Sequence, residues 1–233
     1  MADRPSAELE ARAVTSMEKS LEQTLEVRLG HLDRTADDLA RAESALTAFT
    51  DEGTVPPDAA RRVWIRLSDD ATAAGCEVVY DGADRLAFDE AKAAQDATGR
   101  WLRGSGLADD DELPTEPPSA ADEEAGRRRV EEHLRTAVAE AHIEVAEAQS
   151  RVVKAQEDLR RFRATRRLSA EDAQEAWSRA AGEVGAAAID YLEGRATAAR
   201  VDDLKAVRDL VLRLLRDQGH RIDTEGMIAD IPR

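Results

Sequence analysis

The chain has 233 residues, of which 35% are charged and 3% aromatic, and alanine makes up much of its 42% hydrophobic share. Small apolar residues amid abundant charge suit long helices joined along a narrow seam, and they exclude a deep globular core. The formal net charge of −16 sets the overall field against polyanions, which argues against nucleic acid as a general partner.

One cysteine, Cys76, excludes an internal disulfide and any paired-cysteine metal site, and it fits a reducing compartment. Met1 to Leu32 is charged throughout and has no signal-peptide core. No apolar run approaches the ~18 residues that a membrane helix needs. A cytoplasmic protein with no membrane segment is expected.

The pattern begins with Pro5-Ser6-Ala7, which recurs as Pro118-Ser119-Ala120. Sliding the sequence against itself by 113 positions gives about 25 identities without a gap, roughly twice what this composition yields by chance. Leu21, Leu46, Phe49, Trp64, Arg66, Asp89 and Lys92 fall on Leu134, Leu159, Phe162, Trp177, Arg179, Asp202 and Lys205. The chain therefore reads as two copies of one unit.

In the first copy a heptad seam runs through Leu21, Leu25, Arg28, Leu32, Thr35, Leu39, Ala42, Leu46 and Phe49. Where Arg28 and Thr35 interrupt it, Leu29 and Ala36 stand next door. A long helix over roughly 6–50 is expected, ending at Asp51-Glu52-Gly53 before Pro56-Pro57. A return arm follows with Ala60, Trp64, Leu67 and Ala71 on one face. Cys76 to Tyr80 has strand propensity, but its counterpart Ile189 to Leu192 lies in an alanine-rich helical context, so helix is expected. A break at Asp81-Gly82 precedes a last helix carrying Phe88, Ala91, Ala94 and Trp101. The second copy repeats this order. Its seam runs through Leu134, Val138, Ala141, Val145, Ala148, Val152, Ala155, Leu159 and Phe162, then come an N-cap at Ser169, an arm with Trp177, a break at Gly194-Arg195 and a last helix.

Each long helix and each return arm has about 45 residues, so each arm is expected to run back along its own long helix. The fold class is all-α: an elongated helical bundle from two tandem coiled-coil-like helical hairpin repeats. Residues 1–104 form the first repeat and 118–222 the second, with 105–121 as an acidic, proline-containing linker and 223–233 as a C-terminal tail.

Sites of chemistry are hard to find. No lysine follows a glycine-rich phosphate loop. None of the four histidines follows a glutamate at the spacing of a carboxylate-bridged di-metal bundle, and His133 and His142 read as solvated. Asp109 to Glu112 lack the glycine and spacing of a calcium loop. Asp89-Glu90-x-Lys92 and Asp202-Asp203-x-Lys205 read as helix-start acids with local ion pairs. No catalytic residue, cofactor or metal is assigned. Two features remain. Arg160, Arg161, Arg163, Arg166 and Arg167 crowd a helix C-terminus, where the dipole favours them, and they offer a docking point for an acidic partner. Phe49 with Trp64, and Phe162 with Trp177, span a helix stop in both copies and are expected to pack as equivalent anchors at each turn.

The function expected is that of a non-enzymatic scaffold or adaptor, binding partner proteins or further copies of itself, with oligomers open to it. The first alternative is a regulator that grips nucleic acid or another polyanion through 160–167. The second is a secreted helical-hairpin effector of the WXG kind, since a tryptophan follows the turn in both copies. Trp64 and Trp177 are followed by Ile-Arg and Ser-Arg and never by x-Gly, so the chain is assigned to no family.

Overall fold

A computed structural model of the chain describes residues 6–104 and 119–224, leaving aside the side chains of 101–104 and 122. It is an all-α bundle: helices α1 (Ala7–Glu52), α2 (Pro57–Cys76), α3 (Leu86–Gly104), α4 (Ala120–Thr165), α5 (Ala170–Leu192) and α6 (Ala198–Asp217), with no strand among the described residues. The expected linker lies largely outside the described residues, as do Asp109 to Glu112 and the tail beyond Thr224. The duplication is carried into the backbone. The two long helices have 46 residues each, and every helix of the second copy starts within a residue of where the repeat places it.

Local sequence explains the helix ends. The Ser6 hydroxyl accepts from the N–H of Leu9 at 3.2 Å. Ser169 and Thr197 do the same for Asp172 and Arg200, starting α5 and α6. Thr197 stands three residues behind the Gly194 break, which marks in the sequence where α5 stops but not where α6 starts. Pro57 opens α2, where a missing N–H costs nothing. At the end of α1, Gly53 takes φ +69°. The N–H groups of Gly53 and Thr54 close on the carbonyls of Phe49 and Ala48 at 3.0 and 3.3 Å, satisfying the last turn. Cys76 to Tyr80 is helical as expected. The helix widens into a π turn over Glu77–Asp81 and stops at Gly82, whose φ is +68°.

The helices form two compact units: a central one, Asp33–Glu147, and a terminal one that joins Met1–Leu32 to Ala148–Arg233. Each unit draws on both repeats, a division that the repeat boundaries alone do not give. In the central unit Ala45 and Phe49 of α1, Ala60, Val63 and Leu67 of α2, and Ala94 of α3 share a core with Val130 and Leu134 of α4. In the terminal unit Ala13, Met17 and Leu21 of α1 meet Leu159 and Phe162 of α4, Trp177 of α5, and Val207, Val211 and Leu215 of α6. A smaller core joins Ala187 and Ala188 to Val201.

Each return arm therefore departs from the expected path. α3 reverses at Gly82 and folds back on α2. Its other neighbour is α4 of the second copy, where a Cβ on Gly126 would lie 3.1 Å from the carbonyl oxygen of Ala93. Arm and long helix from different copies approach backbone to backbone there, Gly126 against Ala93 and Ala94. The seam, by contrast, keeps its frame through the expected interruption. Thr35 is 5% exposed, while Ala36 beside it faces solvent.

Candidate interaction surfaces

The aromatic anchors lie where each long helix turns. Phe162 and Trp177 sit in one core cluster of the terminal unit, and Phe49 lies in the central core with Trp64 packed at its edge. They are not equivalent in depth: Trp177 is 1% exposed, whereas Trp64 keeps part of its surface. Arg208 lies over the Trp177 ring at 5.9 Å, and the indole Nε1–H is buried without a hydrogen-bond partner among the described residues.

The five arginines at the end of α4 take different roles. Arg163 donates to Glu18 and Glu22 of α1 at 2.7 and 2.6 Å, which holds its guanidinium above its ordinary pKa. Arg166 reaches Glu18 at 3.6 Å and covers the Phe162 ring at 5.7 Å. Arg161 pairs with the nearly buried Asp158 one turn back. These three act within the terminal unit. Arg160 and Arg167 are exposed and have no ion pair among the described residues. Gln218 links their helix end to that of α6, donating to the Arg166 carbonyl at 2.9 Å and accepting from the N–H of Leu168 at 3.2 Å. Exposed Arg216 and Arg221 are thereby brought to the same end of the unit, a grouping of distant residues that the linear pattern did not suggest.

The acids of the two shared Asp/Lys motifs reach further than local pairing. Asp203 accepts both guanidinium N–H groups of Arg12 at 2.6 Å, and that bond lowers its pKa. Glu90, at the matching repeat position, stands 3.8 Å from Arg129. In both copies this acid ties the last arm to a long helix from the other copy.

The best-formed concavity, about 210 Å³, lies in the central unit over a floor of Ala42, Ala45, Ala59 and Leu134. Part of its rim is already paired. Arg66 donates to Glu140 at 2.6 Å. His133, with a side chain 15% exposed, places Nε2 2.8 Å from Asp70, which corrects the solvated reading of this histidine. His142 stays exposed, 3.4 Å from Glu43. The described residues include no cluster of three or more His, Cys, Asp or Glu arranged to hold a metal ion.

The most distinct surface is one that sequence reasoning passed over. At the α2–α3 break the π turn buries none of its residues, and Tyr80 is 80% exposed beside exposed Val79 and Leu86. An apolar groove with Cys76, Val78 and Phe88 on its walls adjoins them. At the α5–α6 break Leu192 is 72% exposed, with Ile189 and Tyr191 exposed alongside. Both units thus present an aliphatic–tyrosine cluster at the matching place in the repeat. The signal was available: an apolar run precedes the glycine break in both copies, beyond the reach of either heptad seam. By propensity such a run reads as core, so its exposure was not legible. No helix among the described residues is long and apolar enough to cross a membrane. The chain matches no known protein family, no curated protein and no solved structure.

Proposed function

We propose that the chain is a non-enzymatic helical scaffold or adaptor, working in the cytoplasm, that holds protein partners or further copies of itself at its two helix-break tips. The reading is carried by the pair of exposed apolar clusters at matching repeat positions. Large apolar side chains left in water on a rigid support mark binding faces more often than solvated surface, and aromatic residues dominate such faces energetically. At the rim of the 210 Å³ concavity Arg66 and Glu140 are spent on each other, which suits a structural part better than a site that must receive substrate. The test compares proteins retained from cell extract by the wild-type chain and by a variant carrying Val79→Ser, Tyr80→Ser, Tyr191→Ser and Leu192→Ser. The expected result is loss of the retained set with the fold intact by circular dichroism. An unchanged set would remove the tips from the function.

A second reading is favoured by the convergence of Arg160 and Arg167 with Arg216 and Arg221 at one end of the terminal unit. Here the chain grips a polyanion in spite of its net charge. Retention on DNA that falls steeply with salt, and is lost on Arg→Gln change at these four, is its signature. No retention at low salt would rule it out.

A further inference from the structure

We infer that copies of this chain associate tip to tip, the α2–α3 tip of one copy seating on the α5–α6 tip of another. The inference rests on the reading of the tips as docking faces and adds their occupant. Charge decides which tips pair. Around Tyr80, the carboxylates of Glu77, Asp81 and Asp84 are exposed and have no cationic partner among the described residues. Arg85, the nearest cation, is spent on Asp89 at 3.0 Å and on the Phe88 ring at 6.0 Å. Two α2–α3 tips face to face would bring these carboxylates against their own copies in a drying interface, where repulsion grows as water leaves.

The α5–α6 tip lacks that excess of acid, because Arg195 and Arg200 balance Asp190 and Glu193. Arg195 bridges Asp190 and Glu193. Arg200 is exposed with no ion pair among the described residues. Setting this tip on the other buries both apolar clusters and gives the uncompensated carboxylates a guanidinium. Because the two faces differ, the contact is heterologous, and each added copy leaves one free tip of each kind. Each tip offers only a few side chains, so the affinity is modest, with a dissociation constant on the order of 100 μM.

The experiment is sedimentation velocity on the purified 233-residue chain over rising concentration, with no cell extract present. Wild type is expected to form a growing series of species. Val79→Ser with Tyr80→Ser removes one face, and Tyr191→Ser with Leu192→Ser the other. Each variant alone is expected to stay monomeric, and an equimolar mixture of the two to form a dimer and nothing larger. All four side chains are exposed, so both variants are expected to keep the wild-type circular dichroism spectrum. As a charge test that leaves the apolar faces intact, Arg200→Glu weakens association, and mixing it with Glu77→Arg/Asp81→Arg restores it. A wild type that stays monomeric to millimolar concentration overturns the inference, while the scaffold reading still stands or falls on partner retention. A single-face variant that self-associates shows like faces pairing and overturns it too.

Discussion

Gly53 and Arg166 occupy the same place in the two repeats, and both hold the left-handed backbone conformation, at φ +69° and +59°. Glycine takes that conformation freely, while an L side chain costs about 1–2 kcal/mol there. The reason for the arginine lies on the ring beside it. Arg166 covers Phe162 at 5.7 Å, and in the other copy Arg127 of α4 reaches across to cover Phe49 at 5.4 Å. A Cβ on Gly53 would stand 3.4 Å from that Arg127 guanidinium. The same guanidinium-on-phenylalanine contact is thus supplied from two directions. Arg127→Ala loses it with nothing in return and is expected to lower stability by about 0.5–2 kcal/mol. Arg166→Gly loses it but releases the backbone, so its melting temperature is expected to stay close to wild type. Equal losses in thermal unfolding would refute this compensation. The tryptophans differ in the same concrete way. Trp177→Ala is expected to cost about 3–5 kcal/mol, as for a fully packed aromatic, and Trp64→Ala clearly less, because Trp64 keeps solvent contact. Denaturant midpoints of the two variants decide it, and equal shifts would count against the difference in depth.

Among the elements, α4 departs from its counterpart α1 at Asp158, which is 7% exposed where α1 carries Ala45. Burial raises the pKa of this carboxyl, and Asp172 raises it further; Arg161 and Lys154 pull it back, and Glu171 adds a smaller rise. A carboxyl whose folded pKa lies above its unfolded value holds its proton better in the fold. That stabilising contribution is complete below the unfolded pKa and is lost as pH rises through the folded one, so at neutral pH the buried charge weighs against folding. Asp158→Ala is therefore expected to gain more in melting temperature at pH 7 than at pH 3, and an equal gain at both would show that the charge is fully compensated. The packing of α4 against α3 was legible only in part. Its apolar seam stands in the sequence at heptad spacing, because burial selects residue type. The approach at Gly126 does not, because a helical glycine reads equally as weakness or as clearance. The structure settles on clearance.

At the scale of the whole chain, duplication and fold class were readable because matching residues at a fixed offset leave their mark on identity itself. The pairing of helices was not. Each arm presents Ala, Val and Leu faces that suit either long helix, so residue type cannot decide which copy covers which. Each compact unit takes helices from both copies, and this gives the exchange a direct consequence. A fragment of residues 1–104 keeps Phe49 and Leu67 but lacks Val130 and Leu134, which close the central core. It also leaves Ala13, Met17 and Leu21 with none of the α4, α5 and α6 side chains that cover them. Long helices with one bare face are marginal in water, because packing supplies most of their stability. The monomeric fragment is expected to unfold without a cooperative transition. Mixing it with a second fragment spanning residues 118–222 should restore a sharp one in a complex of one to one. Circular dichroism melts with sedimentation of the mixture measure both. A cooperative melt from monomeric 1–104 alone would mean that a hairpin repeat holds itself together, as its sequence first suggested, and that the exchange between copies is not what stabilises the fold.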